Sequence, residues 1–249
     1  MNGAQLSRPG PVGEHPLRWV EIPSPRPGPG EILVKVRACG VCRTDLHVVE
    51  GDLPPRRTPI IPGHQIVGIV EEMGPGTIPT NVADSAPRAA PAPSLVGKRV
   101  GVAWLYSTCG ACRFCGIGRE NLCERAEFTG WTVDGGFAEL AVARADFVYE
   151  IPAGFSDLEA APLLCAGIIG FRALRQTELD ARGGWRGAKV GIYGFGAAGH
   201  VAIQLARARG AEVFVCTRDR ERHQSLAREL GAAWVGGASD PPPPCSTRR

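Results

Sequence analysis

Lysine is almost missing from this 249-residue chain: only three of its 28 basic residues, Lys35, Lys98 and Lys189, are lysine. The arginines that carry the rest of the positive charge are scattered, so no basic block marks a nucleic-acid or acidic-membrane surface. Set against 25 acidic residues they leave a formal net charge of only +3. There is also no run of 18 or more apolar residues, which argues against a membrane-spanning helix. The opening MNGAQLSRPGPVGEHPL has no basic-then-apolar order, so no secretory signal is read there. A soluble, cytoplasmic protein is expected. With no export signal and an odd count of nine cysteines, a disulfide framework is disfavoured and metal or catalytic thiols are favoured.

Two kinds of pattern divide the chain. Residues 1–30 are rich in proline and glycine. EILVKVRACG then alternates with β-branched content and reads as a strand, as do QIVGIVEEMG, KRVGVAWL and AELAVARADFVYEIP. Residues 74–95 have no periodicity and read as a long loop. The first 155 residues are therefore expected to be mainly β. Ser156 and Glu159 then have capping-box spacing, predicting a helix through about Leu174. AKVGIYG, AAGHVAIQLARARG, AEVFVC, DRERHQSLARELG and AAWVG follow as β-α-β-α-β, the first half of a doubly wound nucleotide-binding fold. Four consecutive prolines at 241–244 cannot continue a sheet or helix, and residues 240–249 are expected to be a disordered tail.

Gly194-Phe195-Gly196-Ala197-Ala198-Gly199 has the spacing GxGxxG between a predicted strand and helix, the context that gives it weight. Gly194, Gly196 and Gly199 would let the backbone approach a pyrophosphate at the helix N-terminus. Where NAD sites place Asp or Glu, at the end of the next strand, this chain has Thr217 and Arg218, with Asp219 following. Arg218 could meet a 2′-phosphate, which leans toward NADP over NAD. Asp219 could instead cap the next helix or reach the ribose.

Cys109, Cys112, Cys115 and Cys123 form C-x2-C-x2-C-x7-C. Four thiolates this close along a glycine-containing loop can close a tetrahedral shell around structural zinc. An iron–sulfur cluster is the chemical rival, but the bacterial ferredoxin run has its fourth cysteine after three residues. Neither a reading helix nor a basic face accompanies the loop to suggest a nucleic-acid module.

Cys42, His64 and Cys165 are too dispersed to form a motif by spacing. With their neighbours GVCRTDLH (40–47), PGHQIVG (62–68) and PLLCAG (162–167), the four-cysteine loop and GFGAAG in that order, the chain resembles the zinc-dependent medium-chain alcohol dehydrogenases from about residue 15 to 240. The resemblance implies a mixed β and α/β fold: a GroES-like zinc-binding catalytic domain over 1–155, then a partial Rossmann domain over 156–239. It implies two zinc ions per chain, one structural and one catalytic on Cys42, His64 and Cys165, with NAD(P) as cofactor. Thr44 corresponds to the hydroxyl that takes the alcohol proton and His47 to the group that passes it to solvent. Asp45 corresponds to the carboxylate that orients the zinc-bound histidine. Arg43 is placed for the pyrophosphate, while Trp104 and Leu53 would narrow the pocket toward small primary alcohols and aldehydes.

Three departures accompany the resemblance. Gln65 replaces the family's usual glutamate after the histidine. Residues 77–95 look like an insertion. The Rossmann pattern stops after its first half, read as a truncated or frame-shifted gene product whose activity is in question and whose usual dimer element is missing. The alternative to a dehydrogenase is a non-catalytic remnant that keeps only the structural zinc fold.

Overall fold

In the computed structural model, which describes residues 1–78 and 94–241, the chain divides into two compact units, Met1–Cys165 and Ala166–Arg249. The expected loop at 74–95 and the expected tail lie largely outside the described residues. No helix among the described residues is long and apolar enough to cross a membrane.

The first unit opens with a hairpin that its proline- and glycine-rich composition hides: β1 (Asn2–Leu6) pairs antiparallel with β2 (Leu17–Glu21). β3 (Glu31–Gly40) leads into a short helix α1 (Arg43–Glu50), which is followed by β4 (Gln65–Met73) and β5 (Arg99–Val102). β6 (Leu105–Ser107) and β7 (Glu127–Phe128) form a small ladder around the four-cysteine loop; β8 (Leu140–Arg144) and β9 (Val148–Glu150) complete the unit's strands. The principal sheet is antiparallel in the order β8-β3-β4-β5-β9. On one face Ile32, Val34, Ile66, Val70, Val100 and Val148 close a core, the burial of alternate β-branched residues that the sequence pattern demands.

The other face of β4 and β5 is covered by the segment after Ser156. It is not the single helix expected to Leu174. Helix α2 (Asp157–Ala160) begins at a Ser156–Glu159 capping box, a 3₁₀ turn runs over Ala161–Leu164, and Cys165 breaks the helical path at φ −127°, ψ −77°. Helix α3 (Ala166–Arg175) starts only after that break. Pro162 sits at the start of the 3₁₀ turn, where its missing N–H removes the α-helical bond that continuation would need. Ala160, Ala161 and Leu164 pack with Val67 and Ala103, and Arg99 Nε donates to Asp157 at 2.7 Å. These contacts tie residues 156–165 to the β-rich unit, so its end falls one short helical segment beyond the expected 155/156 boundary.

The second unit has a parallel sheet in the order β10 (Lys189–Tyr193), β11 (Glu212–Cys216), β12 (Trp234–Gly236). Helix α4 (Ala197–Ala208) buries Gly199, Ala202, Ile203 and Ala206, the i, i+3, i+4, i+7 stripe of a helix with one apolar face. Those residues join Leu174, Trp185, Val190, Phe195 and Val213 in the core. The predicted second helix is built from a π-helical turn, Arg220–Gln224, followed by α5 (Ser225–Glu229). Parallel β-α-β units of this kind form one half of a Rossmann sheet, so the fold is a β-rich domain followed by a partial doubly wound one.

Candidate functional site

Three elements of the first unit converge on Cys42, His64 and Cys165. Cys42 is the N-cap of α1, His64 immediately precedes β4, and Cys165 is exposed toward them by the helix break. Cys42 Sγ lies 3.5 Å from His64 Nε2 and 3.8 Å from Cys165 Sγ. All three ligand atoms fall within 4.8 Å of one another. Zinc–sulfur and zinc–nitrogen bonds set at the tetrahedral angle place two sulfurs about 3.8 Å apart and sulfur and nitrogen about 3.5 Å apart. The donor set and spacing fit zinc, and three protein ligands leave a fourth position for a substrate oxygen.

Asp45 holds this arrangement from behind. Its Oδ1 lies 3.0 Å from His64 Nδ1, and its Oδ2 accepts from the Cys42 backbone N–H at 2.8 Å. One carboxylate therefore fixes both the orientation of the histidine and the start of the helix that carries Cys42. Asp45 and His64 are 3% and 1% exposed, where a charged pair without mutual satisfaction would be costly. Burial pushes the imidazole pKa down, but Asp45 and Cys42 outweigh it and raise His64 to about 9. The Cys165 thiol donates toward Cys42 and holds it well below the usual thiol range, and the same contact pushes Cys165 up. The two sulfurs thus share a single thiolate charge when protons, rather than a metal, balance them.

Thr44 and His47 stand one turn apart on α1. The Thr44 backbone N–H donates to Cys42 Sγ at 3.4 Å, while His47 Nδ1 meets Asp52 Oδ2 at 3.0 Å. His47 is joined to Asp52, a partner that the sequence did not reveal. Arg43 is the exposed first residue of α1.

Trp104 packs edge-on against His64 with ring centroids 4.9 Å apart and stacks on Trp131 at 5.8 Å. Phe128 tilts against both indoles. Leu53 and Trp131 both pack against the buried cluster of Leu6, Val48 and Ile60. Trp131 is a member of this aromatic group that the sequence reading missed, since nothing in its local spacing connects it with residue 64.

The four-cysteine loop forms a second cluster. Cys109, Cys112, Cys115 and Cys123 offer sulfurs within 4.8 Å of one another. Cys112 and Cys115 are 3.5 Å apart and Cys109 and Cys115 4.0 Å, values that bracket the tetrahedral spacing. Backbone N–H groups of Ala111 and Cys112 lower the Cys109 pKa, as thiolate ligation requires. Gly110 and Gly118 take φ of 67° and 68°, the left-handed conformation that lets the loop double back on itself.

In the second unit Gly194 turns at φ 84°, and a side chain added at Gly194 or Gly196 would project into open space. Gly199 instead lies close to the Gly194 carbonyl and Phe195, so its role is close packing of helix on turn. A cavity of about 590 Å³ beside this turn is lined by Gly194, Phe195, Thr217, Arg218, Asp219 and His223, among others. The Arg222 backbone N–H donates to Asp219 Oδ1 at 2.8 Å. Asp219 is therefore the cap of the following turn, one of the two roles open to it.

A β-rich domain with two cysteine-rich clusters that could each hold a metal ion, followed by a glycine-turn nucleotide fold, is the framework of a medium-chain dehydrogenase. Residues 28–153 match the Alcohol dehydrogenase GroES-like domain. The chain is 49% identical to the "Probable alcohol dehydrogenase AdhA" of Mycobacterium tuberculosis, over 98% of this chain and 66% of that protein. Among solved structures, a Sorghum bicolor cinnamyl alcohol dehydrogenase aligns with TM-score 0.78 and 29% identity, over 96% of this chain and 64% of the other. A cobalt- and zinc-bound thermostable alcohol dehydrogenase from Pyrobaculum aerophilum aligns with TM-score 0.76 and 31% identity, over 95% and 65%. The chain belongs to the zinc-dependent medium-chain alcohol dehydrogenase family. It spans somewhat less than two thirds of the length of these relatives.

Proposed function

We propose that this chain is an oxidoreductase that interconverts small primary alcohols and aldehydes with NADP. Zinc would be held by Cys42, His64 and Cys165, and a second, structural zinc by the four-cysteine loop. The observation that carries the proposal is the three-ligand cluster whose spacing suits a tetrahedral ion, with His64 locked by Asp45. Bound there, zinc would supply Lewis acidity, lowering the pKa of an alcohol hydroxyl toward neutrality.

The chain's own residues would do the rest. Thr44 would accept the hydroxyl proton and His47, paired with Asp52, would release it to solvent. The hydride would leave the alcohol carbon for the nicotinamide ring, so each alcohol oxidised yields one aldehyde, one reduced dinucleotide and one proton. Trp104 against His64 limits the room beside the reacting carbon, favouring short substrates. The glycine turn would receive the pyrophosphate at the N-terminus of α4, with Arg43 as a further contact. NADP is favoured over NAD because Thr217 brings no negative charge, Asp219 is engaged as a cap, and Arg218 lines the cavity.

The test is alcohol-dependent reduction of NADP and of NAD by the zinc-loaded chain, across a series from ethanol to hexanol. Turnover greatest with short alcohols and with NADP supports the proposal. A single zinc per chain and no turnover would favour the non-catalytic remnant.

A further inference from the structure

The loop that follows α1, residues 51–57, carries the partner of His47. Gly51 and Leu53 both donate their backbone N–H groups to the His47 carbonyl, at 3.1 and 2.9 Å. The residue between them, Asp52, brings its carboxylate to His47 Nδ1 at 3.0 Å. The two side chains are 38% and 67% exposed, and an exposed pair of this kind contributes little by itself. What keeps Asp52 in place must come from the rest of the loop.

Beyond Asp52 the loop is fastened to residues 131–134. Trp131 Nε1–H donates to the Pro54 carbonyl at 2.9 Å, across 77 residues of chain. The Arg56 guanidinium lies over the Trp131 ring, 5.0 Å from its centroid. Arg57 pairs with Asp134 at 2.8 Å, and the other oxygen of Asp134 accepts the Ile61 N–H. The indole is itself held, since it stacks on Trp104 and packs against the cluster of Leu6, Val48 and Ile60. Its N–H therefore offers the loop a fixed point, at the second residue after Asp52.

We propose that Trp131 is a positioning residue for His47: through the Pro54 carbonyl it fixes the loop that holds Asp52 against the imidazole. The inference rests on the reading of His47 as the group that releases the proton. With Asp52 accepting from Nδ1–H, the neutral ring keeps Nε2 as its acceptor, the form that can take up a proton from the site. Arg56, lying over the indole, strengthens the same attachment.

Long-range proton–nitrogen spectra of the full chain at about pH 9, where a free imidazole is neutral, read the His47 tautomer directly. The intact chain should hold mainly the Nδ1–H form, and Asp52→Ala should return the ratio to that of a free imidazole. Trp131→Phe keeps a ring beside Trp104 but loses the donor, and should lower the ratio of Nδ1–H to Nε2–H about threefold. Arg56→Ala should lower it about twofold; its exposed position lets it carry the test if Trp131→Phe does not fold. Trp131→Phe should add nothing to Asp52→Ala, a non-additivity that general loosening of the fold would not produce. A tautomer unchanged by Trp131→Phe overturns the proposal, as does an equal effect of that variant with and without Asp52. The kcat of His47→Gln tests the underlying reading separately: an unchanged value removes His47 from the proton path and leaves the spectra to decide what Trp131 positions.

Discussion

The carboxylate of Asp45 stands 3.0 Å from Nδ1 of His64, and both side chains are almost wholly buried. This pair presents His64 Nε2 to the sulfurs of Cys42 and Cys165. Asp45→Asn keeps the shape but removes the charge that favours the metal-binding tautomer. It should weaken zinc at this site by about 10–100-fold and leave the four-cysteine site loaded. Chelator competition followed by metal analysis measures both. Equal loss from the two sites would show that Asp45 acts on the whole fold.

The metal-free chain should have a distinctive pH profile. Cys42, with its pKa depressed by Cys165, contributes stability that is lost as pH falls. His64, raised to about 9 from 6.5, contributes stability present below 6.5 and lost as pH rises through about 9. Between those values the two slopes oppose each other. Above 9, Cys165 and Cys39 hold protons that the unfolded chain releases, because hydrogen bonding to Cys42 raises the first and burial raises the second to about 12. The contribution of these four groups therefore rises to about pH 6.5, stays level to about 9 and then falls. Urea midpoints of the chelated protein across pH measure it; a midpoint that climbs beyond pH 9 would contradict the assignment.

Gly170 of α3 packs directly against the backbone of α4. A Cβ there would lie 2.7 Å from the Ala198 carbonyl oxygen, a backbone atom that cannot swing aside. Alanine gains about 1 kcal/mol of helix propensity over glycine, whereas overpacking costs about 1–3 kcal/mol. Gly170→Ala should therefore lower the melting temperature of the second unit. Gly154→Ala, which meets nothing within 4 Å, should not. A stabilised Gly170→Ala variant would mean that the helices can part freely.

Trp104 bounds the space beside His64. Trp104→Ala should move the optimum of kcat/KM from ethanol toward longer alcohols, each methylene accommodated being worth about 1–3 kcal/mol. The Trp131 stack would lose its partner at the same time, so a parallel Trp131→Phe variant checks that the change reflects room and not collapse. An unchanged substrate order would remove Trp104 from the pocket wall.

How much of this was legible depended on chain separation. The four cysteines lie close in sequence, and their spacing alone suggested a tetrahedral shell. The glycine turn was readable because a strand and a helix flank it. Cys42 lies 22 residues from His64 and 123 from Cys165, so no local pattern joins them, and resemblance to a family supplied the grouping. The Ser156 capping box was visible, but the break at Cys165 was not, because it depends on Pro162 and on packing against β4. β1 and β2 were hidden by short length and sparse burial. Asp52, Trp131 and His223 reach their sites by tertiary contact, which no periodicity encodes.

Two separate ligand clusters, Cys42-His64-Cys165 and the four-cysteine loop, stand in this chain, and the proposed function requires that each hold its own zinc. Metal analysis of the purified chain and of two variants tests it most directly, with cobalt substitution to report thiolate coordination. The intact chain should hold two zinc ions; Cys42→Ser and Cys112→Ser should each lose a different one, with distinct cobalt spectra for the ion that remains. A chain that holds one zinc, unaffected by Cys42→Ser, would contradict the account.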